Sequence, residues 1–174
     1  MSRYLLLLRH GKAEKDVPDL PDHERPLTRL GRRQARAVGK HLRGLPCLPD
    51  LIVASTARRA RATARRVARA LKSKPLRLLY PELYNAQPEQ VVQLLRKVPF
   101  SPITLLVVGH NPCWEQLAAH LVRQPVPLPT AGLARIVLPI DDWSELSLDT
   151  EGRLLDVWSP PDERGEARAR DAAG

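Results

Sequence analysis

The apolar positions of this chain fall into short blocks of two kinds. Tyr4 to Leu8 is a continuous apolar run that stops abruptly at Arg9-His10-Gly11, the pattern of a strand covered on both faces in a parallel sheet. Leu51 to Ala54 and Leu76 to Leu79 read as further short strands, and Ile103 to Val108 as the most apolar strand, which runs into Gly109-His110-Asn111-Pro112. Between the runs, apolar residues recur at the spacing of one helical face. Thr28 is placed to cap a helix reaching about Arg43, with Leu30, Ala35, Val38 and Leu42 on its apolar stripe and Gly44 as its stop. A second helix is predicted from about Thr56 to Leu71. Pro88 opens a third, to about Val98, that buries Val91, Val92, Leu94 and Leu95. A fourth follows Pro112 to about Leu121. Leu133 to Ile140 and Leu154 to Trp158 read as antiparallel strands near a sheet edge.

Proline-rich stretches over residues 12–27 and 123–130 read as loops. From Pro160 the chain is small, polar and charged, so the expected organisation is one domain over residues 1–159 and a disordered tail over 160–174. Strands alternating with helices imply βαβ units, hence an α/β fold with a mainly parallel sheet. Ligands of such sheets bind beyond the carboxyl ends of the strands. Three polar clusters stand at predicted strand ends: Arg9-His10, Ser55 to Arg59, and His110-Asn111. They are expected to converge.

Composition narrows the classes. A chain of 174 residues supports one well-buried domain and not two. The net charge of +9 comes almost entirely from Arg and suits anionic partners, although a solvated Arg-rich surface explains the charge equally well. Aromatic residues make up only 4%, and no recognition-helix, zinc-finger or stacking pattern appears, so a nucleic-acid partner is not expected. Cys47 and Cys113 are far apart and in no metal-ligand spacing. The run at Leu5 to Leu8 is too short for a signal segment or a membrane span; a cytoplasmic monomer is the default expectation.

The three clusters bring two imidazoles and at least two guanidiniums to one mouth, with no Asp/Glu/His cluster of metal spacing beside them. Arg binds phosphoryl oxygens bidentately. Neighbouring cations disfavour imidazolium, which leaves a neutral, nucleophilic imidazole. The same cations stabilise charge on a transferring phosphoryl group without a metal or cofactor.

Here the residues resemble a family. Leu-Leu-Leu-Leu-Arg-His-Gly at 5–11 is similar to the strand-plus-RHG signature of the histidine phosphatase superfamily, Ser55 to Ala64 to its S-x-x-x-R-A-x-x-T motif, and Val-Gly-His-Asn-Pro at 108–112 to its late G/S-H motif. Asp22 to Thr28 followed by Gly31, Pro81 to Ala86, Pro129 to Leu133 and Asp142-Trp143 resemble the SixA-type branch. The resemblance implies a phosphoglycerate-mutase-like three-layer α/β/α sandwich. It implies His10 as the nucleophile carrying a transient phosphoryl group, Arg9 and Arg59 as phosphate ligands, and His110 as a further donor. The motif selects Arg59 over Arg58. Arg25 and Thr130 are candidates for the phosphate-binding rim, and Glu82 is the candidate proton donor by its position after the third strand. His23, His41 and His120 read as surface residues, Cys113 as a packing residue. Dephosphorylation of phosphohistidine in a protein is the function implied. A small-molecule phosphomonoesterase is the alternative, and a non-catalytic anion- or nucleic-acid-binding module a distant third.

Overall fold

The computed structural model describes residues 1–161; residues 162–174, most of the expected tail, lie outside the described residues. Six strands form one sheet: β1 (Arg3–Arg9), β2 (Leu51–Ser55), β3 (Leu76–Tyr80), β4 (Thr104–Gly109), β5 (Leu133–Leu138) and β6 (Arg153–Trp158). Their order is β3-β2-β4-β1-β5-β6. The first four are mutually parallel, while β5 pairs antiparallel with β1, and β6 with β5.

Alternation along the central strands sends side chains to two cores. Leu6, Leu8, Ile52, Ala54, Leu106 and Val108 face α1 (Arg29–Arg43) and α2 (Arg58–Leu71). Leu5, Leu7, Leu51, Val53, Leu105 and Val107 face α3 (Pro88–Leu95) and α4 (Cys113–Val122). This is the three-layer α/β/α sandwich. Continuous apolar runs were needed because both faces of β1, β2 and β4 are covered.

Some details depart from the pattern. The third helix ends at Leu95 rather than near Val98, and Leu94 is only half-buried. The second starts at Arg58: Ala57 is extended, and Ser55 Oγ accepts a hydrogen bond from its N–H at 3.2 Å. His41 is not a free surface group. Its ring stacks on Trp158 with centroids 4.0 Å apart and planes 2° apart, which braces the edge strand β6 against α1. Cys113 is buried in the α4 core, and burial pushes its thiol up to about 12, an inert state. Among the described residues no helix is long and apolar enough to cross a membrane.

The sheet register sets the site. Arg9 lies opposite Gly109, and Ala54 opposite Val108, so β1, β2 and β4 end level with one another. Neighbouring strands sit about 4.8 Å apart. Residues at or just beyond these ends (Arg9, His10, Ser55 and His110) therefore meet across the sheet mouth.

Candidate active site

The turn after β1 is held from three sides. His10 N–H donates to Gly109 O at 3.1 Å, and Ala131 N–H donates to His10 O at 3.0 Å. Gly11 N–H donates to Thr63 Oγ1 at 3.1 Å, and that hydroxyl donates to Arg59 O at 2.7 Å. Thr63 thus couples the turn carrying His10 to the helix carrying Arg59. Gly11 lies directly on the first turn of α1; a Cβ there would stand 2.6 Å from Gly31 O, and one on Gly31 would overlap the Lys12 carbonyl oxygen. Gly31→Ala is expected to destabilise the fold by about 1–3 kcal/mol, read by urea unfolding.

His10 is buried, and its Nδ1 lies 2.7 Å from Gly11 O. A carbonyl only accepts, so Nδ1 carries the proton and the free lone pair sits on Nε2. His110 stands with its ring centroid 5.3 Å from that of His10, and its Nε2 is 2.8 Å from Ser55 Oγ. Arg9 Nη1 donates to Leu128 O at 3.0 Å, a carbonyl that also accepts from Asn111 Nδ2 at 2.9 Å. Arg59 is 5% exposed; its Nη1 donates to Asp22 O at 2.7 Å and its Nη2 to Asp22 Oδ2 at 3.1 Å. Arg9 Nε, Arg59 Nε and His110 Nδ1 are buried polar atoms that find no partner among the described residues.

Both imidazoles are held neutral. Burial lowers His10 to about 4, with Arg59, Arg9 and Arg25 acting in the same direction against the Gly11 hydrogen bond. Burial likewise lowers His110 to about 3, aided by His10 and Arg59. The sequence pointed to the arginines alone; burial is the larger cause. Since folding depresses both values, the unfolded chain binds more protons than the folded one below pH about 6.5. Stability is therefore expected to fall as pH drops from about 6.5 through 4. Thermal melts across that window check this, and His10→Gln should flatten the slope.

Arg9, His10, Arg25, Arg59, His110 and Thr130 line one cavity of about 740 Å³. Arg25 stands at its rim, tied to Asp22 Oδ1 at 2.9 Å and to Glu14 O at 2.8 Å. Lys12 and Lys15 complete the basic rim. Among the described residues no carboxylate lines this cavity. What it can hold is a compact oxyanion: guanidinium and imidazole donors surround one neutral imidazole nitrogen.

Residues 5–80 match the histidine phosphatase superfamily (branch 1). An uncharacterized protein of Mycobacterium tuberculosis is 41% identical over 117 residues, covering 66% of this chain and 69% of the relative. The solved structure of a putative phosphohistidine phosphatase SixA from Nakamurella multipartitia aligns with a TM-score of 0.78 at 30% identity, over 93% of this chain and 98% of that one. The chain belongs to the histidine phosphatase superfamily. A protein histidine phosphatase SixA complexed with tungstate aligns with a TM-score of 0.76 at 25% identity, over 90% of this chain and 97% of that one.

In this histidine phosphatase one anticipated site residue lies elsewhere. Glu82 sits in a 3-10 turn, Pro81–Leu83, in which Leu83 is buried and Glu82 exposed. Burying Leu83 turns its neighbour outward, into a hollow shared with Tyr80, Tyr84 and Glu89. Asp22 is the acidic group bonded to the site, and its role was not anticipated. It accepts from Tyr84 Oη at 2.6 Å; that bond, with Arg25 and Arg59, holds its carboxyl well below the usual carboxylate range despite some desolvation. His23 is half-buried, with its Nε2 2.9 Å from Thr56 Oγ1 and its ring edge-on to Tyr84. Its role in bracing this loop against the start of α2 was missed as well.

Proposed function

We propose that this chain dephosphorylates phosphohistidine in a protein, through a phosphoryl group carried transiently on His10 Nε2, without a metal ion. The observation that carries the reading is the His10 ring: Nδ1 is fixed as donor to Gly11 O, which leaves Nε2 unprotonated beside Arg9, Arg59 and His110. In the first step Nε2 forms a bond to phosphorus while the substrate's P–N bond breaks, and the departing imidazole keeps the electron pair and takes a proton from solvent water. In the second step water attacks phosphorus, the P–Nε2 bond breaks, and inorganic phosphate leaves. Arg9, Arg59 and His110 hold the equatorial oxygens and stabilise their charge in both steps. That a SixA relative was solved as a complex with tungstate, itself an oxyanion, supports a fold that binds oxyanions.

The choice of phosphohistidine rests on the leaving group. An imidazole leaves more readily than an alkoxide and needs no strong general acid. The lining offers none: Glu82 lies outside the cavity, and Asp22 is held ionised. A general acid contributes about 100- to 10,000-fold when the leaving group requires one. With EDTA-treated protein, kcat/KM for a phosphohistidine-bearing protein is expected to exceed that for an alkyl phosphate by about 100-fold or more.

A second reading, a small-molecule phosphomonoesterase, draws on the roominess of the 740 Å³ cavity and its extra cations Lys12 and Lys15. The two readings part at Glu82. Under our proposal Glu82→Gln leaves both activities within about twofold. A selective loss of ester hydrolysis in that variant would favour the second reading.

A further inference from the structure

We propose that the cleft between α2 and the edge strand β3 docks an acidic, extended segment of the phosphoprotein substrate. The inference rests on the protein-substrate reading above and adds where the protein is held. The cleft has a volume of about 750 Å³ and lies outside the cavity of His10. Its walls carry Arg58, Arg61, Arg65, Lys74 and Arg77, all exposed. The three α2 arginines follow at steps of three and four residues, so they share one helix face. Arg77 and Leu79 pair in register with Ile52 and Ala54, which belong to the core under α2, so both side chains stand on the sheet face that α2 covers. Of the five cations, Arg61 reaches a carboxylate, Glu24 at 4.0 Å. Arg65, Lys74 and Arg77 make no ion pair among the described residues.

The chemistry of the walls selects the occupant. A second copy of the chain would bring cations of the same sign. Among the described residues no aromatic side chain lines the cleft, so nucleic acid would find no stacking platform there. Leu79, 47% exposed, supplies aliphatic contact between the charges, while Leu76 pairs with Leu51 and stands on the other sheet face. Because β3 is the terminal strand of the sheet, its outer edge presents main-chain groups that an added strand can pair with. An extended peptide alternating carboxylate and aliphatic side chains matches all three features.

Position links the cleft to the chemistry. Arg58 adjoins Arg59, and Glu24 belongs to the turn whose Asp22 binds Arg59. From Arg58 to Arg65 the helix rises about 10 Å, a span that three or four extended residues cover. A segment held there would keep its phosphorylated neighbour at the mouth of the His10 cavity.

The test uses a fluorescein-labelled twelve-residue peptide alternating Glu with Val or Ile, a twelve-nucleotide single-stranded DNA, and the variant Arg65→Glu/Arg77→Glu. Fluorescence anisotropy at low salt is expected to show saturable peptide binding by the wild type, weakened about tenfold in the double variant and strongly reduced in 0.5 M salt. Arg65→Gln/Arg77→Gln should lose less. With an acidic phosphohistidine-bearing protein as substrate, the double Glu variant should raise KM about tenfold at unchanged kcat, while hydrolysis of a small aryl phosphate stays at the wild-type rate. Equal peptide binding by wild type and double variant overturns the proposal, as does tighter binding of the DNA than of the peptide. Peptide binding does not involve His10, so it is measured independently of whether the phosphatase reading stands.

Discussion

His10→Ala is expected to lower kcat for phosphohistidine hydrolysis by about 10⁴-fold or more, the scale seen when an enzyme loses its nucleophile. The size follows from what the side chain does under the proposed scheme. Both chemical steps pass through a bond to its Nε2, so no neighbouring group substitutes for it. His110 stands with its ring centroid 5.3 Å away, but its Nε2 already contacts Ser55 Oγ, and its place is that of a donor. Phosphate release from the phosphoprotein gives the rate, and quenching with radiolabelled substrate gives the intermediate: label should stay on the wild-type protein in base-stable, acid-labile form and be missing from His10→Ala. Near-wild-type turnover in the variant would remove the scheme altogether. Since the imidazole is depressed to about 4, the wild-type rate should also show no acid limb from His10 between pH 5 and 7. A histidine at its usual value would lose most of its neutral form across that interval.

Much of this site could be read from the sequence because its parts sit at the ends of strands. Continuous apolar runs marked β1, β2 and β4, and a parallel sheet obliges the residues after such strands to meet. That argument reaches Arg9, His10, Ser55 and His110 without any structure. The choice of Arg59 over Arg58 came from the resemblance to the family motif; in the structure Arg59, Thr63 and Val67 follow at four-residue steps on the buried stripe of α2, while Arg58 is exposed. Glu82 lies outside the His10 cavity for a local reason. Its distance along the chain from the third strand fits a proton donor, but the 3-10 turn must bury Leu83, and that turns Glu82 away. Asp22 opens the motif that resembles the SixA-type branch, but its role was illegible for a different reason. It lies in a polar loop with no periodicity, and its partners Arg59 and Tyr84 are 37 and 62 residues distant; only tertiary packing chooses them. Thr63 stood in plain view within the second motif, yet a hydroxyl on the core face of a helix gives no sequence signal that it will tie the turn carrying His10 to the helix carrying Arg59.

Arg59→Ala is the second large effect, an expected loss of about 100- to 1,000-fold in kcat, the scale for removing one preorganised donor from a charge-developing site. Two properties place Arg59 above the rim cations. It is 5% exposed, so its charge acts where water screens little. It is also aimed: Asp22 takes two of its N–H groups, Thr63 binds its backbone, and its Cζ lies 5.9 Å from the centre of the Tyr84 ring. Arg59→Lys should recover little, because an ammonium cannot hold Asp22 and a phosphoryl oxygen in one rigid fork. Arg58→Ala, one residue away but exposed, should leave kcat on a small aryl phosphate within a few-fold of wild type. Asp22→Asn separates aim from charge. It leaves the guanidinium in place but removes the carboxylate that fixes and partly neutralises it, so kcat should fall while phosphate inhibits more strongly. If Asp22→Asn left both quantities unchanged, the Asp22–Arg59 pair would be a brace for the loop and no part of the phosphate grip.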